Sequence, residues 1–329
     1  MPLSPRHEVV VEPDIVYGHA LRRDGAAPES VALELDLYRP AGPAPDGGRA
    51  AVLLAFGGAF HRGSRQDDGF ADEAGRRSTA MAEYCRMLAG QGYVAASLSY
   101  RLAQLRPDPG PTQAMTAGEA NLDRIQVVRG MLGLAPIGPE EMREAIEGGI
   151  DDVTAAYRYL AGAARRHGVD PSRIVLGGFS AGARLAISAA LTHDIDPAGV
   201  ICLSGAAPEG FARAHREAGG AAFPVLLVTA EDDLPAIRDA APGLHAALAG
   251  AGLPCVSARV PGHGHFYPAS APIEGGARPV LIEEIMAFLE RAVGAPGAGD
   301  RAVGSPGAAD RAVGLPGAAA PVRAGGGAG

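Results

Sequence analysis

Eight short apolar runs punctuate the first 260 residues, and between them apolar residues recur every three or four positions. Val31, Leu33, Leu35 and Leu37 alternate with polar neighbours, which predicts a strand with one buried face, and Val9–Val16 reads as its partner. The runs Ala51–Phe56, Tyr93–Leu98, Ile174–Leu176, Val200–Leu203, Val225–Thr229 and Val256–Val260 are continuous, as in strands buried on both faces. From Pro139 to His167, Met142, Ile146, Ile150, Val153, Tyr157, Leu160 and Ala164 keep helical spacing. Pro139 suits the first turn and Gly168 the end, while Gly148-Gly149 predicts a kink. A second helix is predicted from Pro279 to Glu290, with Leu281, Ile282, Ile285, Phe288 and Leu289 on one face. Short apolar strands alternating with helices predict an α/β fold, a mostly parallel eight-stranded sheet with helices on both faces. Ligands of such sheets bind beyond the carboxyl ends of the strands.

Two segments break the alternation. Residues 103–138 are rich in Pro and Gly at first (Pro107, Pro109, Gly110, Pro111) and then helical in pattern from Glu119 to Leu132. A connection this long inside a compact domain is usually functional or disordered. Ile125, Val127, Val128, Met131 and Leu132 give it an apolar face, so it is read as a lid over a pocket or as an extra surface helix. The other segment begins near residue 290, where a ten-residue unit starting Arg291-Ala292-Val293-Gly294 repeats from Arg301 and from Arg311. With few large apolar groups it cannot offset its ordering entropy. The expected organisation is therefore a body over 1–294 and a disordered Gly/Ala/Pro tail over 295–329.

Charge and composition narrow the function classes. The formal net charge is −8 and no stretch concentrates arginine, so nucleic acid is not an expected partner. The amino terminus lacks the apolar segment of a signal peptide, and no run of about 18 apolar residues predicts a membrane span. Cys85, Cys202 and Cys255 are scattered in apolar contexts, as expected of unpaired thiols in a reducing cytoplasm. No cofactor is expected. A metal site is also not expected, because His263 and His265 lack a carboxylate or cysteine cluster at ligand spacing. The remaining histidines (7, 19, 61, 167, 193, 215, 245) sit in surface-type contexts and receive no role.

The strongest chemical signal is Gly178-Phe179-Ser180-Ala181-Gly182, set between the apolar run Ile174–Leu176 and a helical pattern beginning at Ala183. A strand, a sharp turn and a helix in that order lift a serine hydroxyl into the open, and glycine at both flanks lets the backbone pass close by. Candidate partners follow the later strands. Glu231, Asp232 and Asp233 come after Val225–Thr229, and His263 and His265 come after Val256–Val260.

Taken jointly, Leu35-Asp36-Leu37-Tyr38-Arg39-Pro40, Phe56-Gly57-Gly58-Ala59-Phe60, Gly92-Tyr93-Val94-Ala95, Ser99-Tyr100-Arg101-Leu102, Val169-Asp170-Pro171-Ser172-Arg173-Ile174 and the serine turn resemble the esterase/lipase branch of the α/β-hydrolases, over about residues 30–290. The resemblance implies a serine carboxylesterase acting on small-molecule esters of short or medium acyl length, with chain order Ser, Asp, His. It implies Ser180 as nucleophile and Asp233, four residues past its strand, as the acid that orients the base. Asp232 is the alternative, and Glu231 is read as a solvated loop acid. It implies His265, just before Phe266, as the base, with His263 at the pocket rim. The oxyanion donors it implies are the N–H groups of Ala181, Gly58 and Ala59. Here Phe56-Gly57-Gly58-Ala59 replaces the family's His-Gly-Gly-Gly, so the brace that a histidine would give the loop is missing. Two other readings stay open at this stage: a peptidase of the same fold, and a non-catalytic hydrolase-fold protein that binds a small molecule or a partner. Oligomeric state is not legible.

Overall fold

The computed structural model describes residues 4–72, 75–108, 110 and 122–295, with nothing assigned to the side chain of residue 124. The repeat tail beyond residue 295 and most of 109–121 lie outside the described residues.

One eight-stranded sheet organises the chain, in the order β1-β2-β4-β3-β5-β6-β7-β8. The antiparallel edge consists of β1 (Val9–Arg22) and β2 (Glu29–Pro40). Next to β2 lies β4 (Val94–Leu98), still antiparallel to it. From there β3 (Arg49–Ala55), β5 (Val169–Phe179), β6 (Gly199–Leu203), β7 (Val225–Asp232) and β8 (Cys255–Gly264) run parallel. The continuous apolar runs become the fully buried central strands: Val52, Leu53, Val175, Leu176, Leu226 and Leu227 are all inaccessible. This is the eight-stranded, mostly parallel sheet that the pattern predicts. The edge strands extend past their apolar cores because one of their faces stays partly solvated.

Helices fill the connections. Along the chain these are α1 (Met81–Gly90), α2 (Asp123–Met131), α3 (Pro139–Gly162), α4 (Ala164–His167), α5 (Ala181–Thr192), α6 (Glu209–Glu217), α7 (Pro235–Arg238), α8 (Ala241–Gly250) and α9 (Leu281–Val293), with a 3₁₀ turn at Ala103–Leu105. Pro139 occupies the first turn of α3, and the Gly138 N–H donates to the Glu141 carboxylate at 3.0 Å. Gly168, at φ 66°, ends α4 in the left-handed conformation that glycine accepts readily. α3 continues through Gly148-Gly149 without interruption, and the helix predicted to run to His167 breaks instead at Ala163, between α3 and α4. Close packing explains these glycines instead. A Cβ would come within 2.7 Å of Pro107 at residue 148 and within 2.9 Å of Leu185 on α5 at residue 149. Arg101, just past β4, fastens the same stretch by donating to the Asp152 carboxylate at 3.0 Å and to the Gly148 carbonyl at 3.1 Å. The candidate residues collect beyond the carboxyl ends of β3, β5, β7 and β8.

Candidate active site

The chain turns sharply from β5 into α5 at Ser180, whose φ of 54° and ψ of −115° lie outside the regions open to most side chains. The surroundings enforce this conformation. The Ser180 N–H donates to the Leu203 carbonyl at 2.8 Å, and the Ser180 carbonyl accepts from Arg184 at 3.0 Å. A Cβ at Gly178 would stand 2.5 Å from the Ala55 carbonyl oxygen, and one at Gly182 only 2.1 Å from the same atom. Glycine at both positions lets α5 start directly over β3.

Strand register brings the remaining polar groups to this turn. Asp232 at the end of β7 pairs with Gly264 at the end of β8, so the next residues, Asp233 and His265, emerge side by side. His265 Nδ1 donates to Asp233 Oδ1 at 2.7 Å, and the Ser180 hydroxyl meets His265 Nε2 at 2.8 Å. The carboxylate thus fixes the tautomer in which Nε2 is free to accept. Asp233 is buried and accepts three further hydrogen bonds, from Leu234 N–H at 2.8 Å, Ala230 N–H at 3.0 Å and the Ser204 hydroxyl at 2.5 Å. Burial alone would raise its carboxyl, but the His265 contact and these donors hold it below the ordinary range. The neighbouring candidates lie elsewhere. Asp232 is exposed, Glu231 accepts from Gly262 N–H at 2.7 Å, and His263 Nδ1 turns to the Pro261 carbonyl at 2.8 Å.

The loop after β3 passes Ser180 on its other side. Gly58, Ala59 and Phe60 have φ of 125°, 54° and 64°. Left-handed geometry at a non-glycine costs of order 1–2 kcal/mol per residue, and it is retained here at two successive positions. The Gly58 carbonyl accepts from His61 and Arg62 N–H groups at 3.1 and 3.2 Å and closes the loop on itself. Among the described residues, the N–H groups of Gly58, Ala59 and Ala181 donate to no protein acceptor.

Two spaces flank the serine. A cavity of about 390 Å³ lies between Phe60, Ile125, Val127, Ala206 and Ile237, bordered by Ser180, Ala181 and Arg184. A much smaller one, about 30 Å³, is closed in by Phe70, Val128, Phe179 and Phe266 beside His265. The segment read as a lid therefore supplies walls to both spaces through α2. Among the described residues, no three His, Cys, Asp or Glu side chains are grouped so as to hold a metal ion. No described helix is long and apolar enough to cross a membrane.

A family model described as phospholipase/carboxylesterase matches residues 137–235, the stretch from α3 through the serine turn to the acidic loop. Among solved structures, the chain superimposes on a thermophilic esterase from the planctomycete Thermogutta terrifontis, Est2. The native form gives a TM-score of 0.55 at 19% identity, covering 91% of this chain and 97% of that one. Its propionate-bound form gives 0.52 at 19% identity over 88% and 93% of the two chains. Its paraoxon-phosphorylated form gives 0.50 at 20% identity over the same shares. The chain has the α/β-hydrolase fold. A search of curated proteins returns no match.

Within this fold, several residues that matter to the site escape the sequence reading. Asp68 is one. Its buried carboxylate accepts Gly57 N–H at 3.0 Å and Met81 N–H at 2.7 Å, so it ties the loop after β3 to the start of α1. Tyr100 adds a second brace, with its hydroxyl donating to the Phe56 carbonyl at 3.0 Å and its ring stacked on Phe56 at 4.4 Å. Together they support the loop where the resembled family uses a histidine. Ser204 is another: it holds Asp233 from behind and meets the Tyr267 hydroxyl at 2.8 Å. The surface reading of the remaining histidines needs correction for His61 and His167, both buried, and for His193, whose side chain is covered and lies 3.5 Å from the Asp151 carboxylate. His61 Nδ1 donates to the Ala59 carbonyl at 2.6 Å, and its Nε2 accepts from Arg129 of α2 at 2.9 Å, which links the loop to the lid segment. Burial keeps the His61 ring below its ordinary pKa, in keeping with this neutral tautomer.

Proposed function

We propose that the protein is a serine carboxylesterase that hydrolyses short- to medium-chain carboxylic esters through an acyl-enzyme intermediate, without a cofactor. The observation that carries this reading is the unbroken hydrogen-bond chain from Ser180 Oγ through His265 to Asp233, at a serine held at φ 54° and ψ −115°. In the first half-reaction, His265 Nε2 takes the hydroxyl proton as Ser180 Oγ bonds to the ester carbonyl carbon. The resulting oxyanion is held by the N–H groups of Gly58, Ala59 and Ala181, each such donor being worth about 3 kcal/mol in the transition state. His265 then returns the proton to the departing alkoxide oxygen, and the alcohol leaves an ester on Ser180. Water repeats the sequence, releasing the carboxylic acid and restoring the serine. Asp233 stays ionised throughout and stabilises the imidazolium, a role suited to a carboxyl held below its ordinary pKa.

The apolar walls of the larger cavity favour uncharged acyl or alcohol groups, and α2 serves as its lid in this reading. The propionate found in the Thermogutta enzyme supports acids of this length. Cys85, Cys202 and Cys255 are unpaired, in keeping with a cytoplasmic setting. A panel of p-nitrophenyl esters of graded acyl length tests the proposal. Saturable turnover is expected on the shorter chains, falling as the acyl group outgrows the cavity. Turnover no faster than the Ser180→Ala variant on every ester would refute it.

A further inference from the structure

At the opposite end of the sheet from Ser180, another cavity of about 350 Å³ opens beyond the first residues of β3, β4 and β5. Arg39, Arg49, Arg165 and Arg166 line it, together with the buried His167 and a single carboxylate, Glu12. Arginines elsewhere on this surface commonly face acids, as Arg22 faces Glu29 at 2.7 Å and Arg259 faces Glu274 at 2.7 Å. Among the described residues, none of the four cavity arginines makes an ion pair. Arg49 is held by backbone carbonyls instead, from Pro43 at 3.0 Å and Gly92 at 3.5 Å, with its charge left unneutralised. Cations in the last turn of α4 suit the helix dipole, which accounts for Arg165 and Arg166. It does not account for Arg39 at the end of β2 or Arg49 at the start of β3, contributed from the sheet to the same cavity. Arg165 and Arg166 are exposed and Arg39 and Arg49 partly buried, and four like charges around one concavity repel one another, a repulsion that a bound anion would relieve.

We propose that this cavity is a binding site for a small, multiply charged anion of the oligophosphate class. Planar guanidinium groups donate paired hydrogen bonds to phosphate oxygens, and arginine is the residue best suited to that geometry. The volume falls in the range of small-molecule sites, and the Pro40, Pro43 and Val94 walls reduce solvent screening inside it. The site lies at the amino-terminal ends of strands whose carboxyl ends carry Ser180, so its ligand is not the ester.

Isothermal titration of the full chain with pyrophosphate at about 0.15 M ionic strength, against sodium chloride at matched ionic strength, tests this. Saturable one-site binding of pyrophosphate is expected. Arg39→Ala and Arg166→Ala should each weaken it about tenfold, the scale of one lost charge-assisted hydrogen bond, and the double variant by more. Circular dichroism confirms that the variants are folded, and Arg213→Ala on α6 serves as a charge-matched control expected to bind normally. Adenosine 5′-diphosphate forms a second arm. Equal affinity assigns a free oligophosphate, tighter binding assigns a nucleotide, and both uphold the site. Absence of saturable heat with pyrophosphate, or weakening by Arg213→Ala equal to that of the cavity variants, would overturn the proposal.

Discussion

Replacing Asp68 with asparagine separates what this buried carboxylate costs from what it holds in place. Asp68 is 2% exposed, and burial pushes its carboxyl up to about 6 from an ordinary 3.8, against the opposing pull of its two backbone donors. That rise corresponds to about 3 kcal/mol. The sign follows from linkage: a carboxyl with a raised folded pKa binds more protons folded than unfolded between about 4 and 6. Stability therefore falls as pH rises through that window and is recovered as pH drops below it. Asparagine removes this dependence. It also has one acceptor oxygen for two N–H groups, Gly57 and Met81, so one contact of about 1.5–3 kcal/mol is lost. The two effects nearly cancel at pH 7, where Asp68→Asn should match the parent within about 1 kcal/mol. At pH 4 the variant should be less stable, with the difference between the proteins moving by about 2.4 kcal/mol across the interval. Because Gly57 precedes the proposed oxyanion donors, kcat should fall about tenfold with KM little changed. Urea denaturation of both proteins at pH 4, 5, 6 and 7 provides the measurement. Stability curves that stay parallel would refute the burial argument, and an unchanged kcat would refute the bracing argument.

Ser204→Ala removes the hydroxyl donor behind Asp233, so kcat should drop about tenfold to a hundredfold, read from steady-state rates on a short ester. His265→Ala and Asp233→Asn should each lower kcat by several orders of magnitude and combine without additivity, whereas His263→Ala and Asp232→Asn should leave kcat nearly intact. Gly182→Ala places a methyl 2.1 Å from the Ala55 carbonyl oxygen, so thermal denaturation should show a loss of several kcal/mol, on the order of other strained core insertions.

The strands and helices were legible because buried runs such as Val52–Leu54 and Leu226–Val228 need no tertiary information to be recognised. The serine turn was legible for a related reason: two glycines and a serine between a strand and a helix are a local pattern. Asp68 was not. In Gln66-Asp67-Asp68 it looks like any solvated acid, and only the folding of its loop onto α1 buries it. His61 and Arg129 are 68 residues apart, and nothing in either local sequence announces their contact. Ser204 offered a faint signal, a polar residue directly after the buried run Val200–Leu203 at the carboxyl end of a central strand. The glycine pair in α3 misled because glycine weakens a helix in isolation, whereas here it lets Pro107 and Leu185 approach.

Labelling with a fluorophosphonate, followed by peptide mapping, tests the central claim most directly. One equivalent of adduct is expected, carried on the peptide that contains Ser180, with ester hydrolysis lost in proportion. Ser180→Ala should take no label and lose about 10⁶ in kcat while unfolding like the parent. Adduct on any other serine, or substantial hydrolysis by the Ser180→Ala protein, would contradict the account.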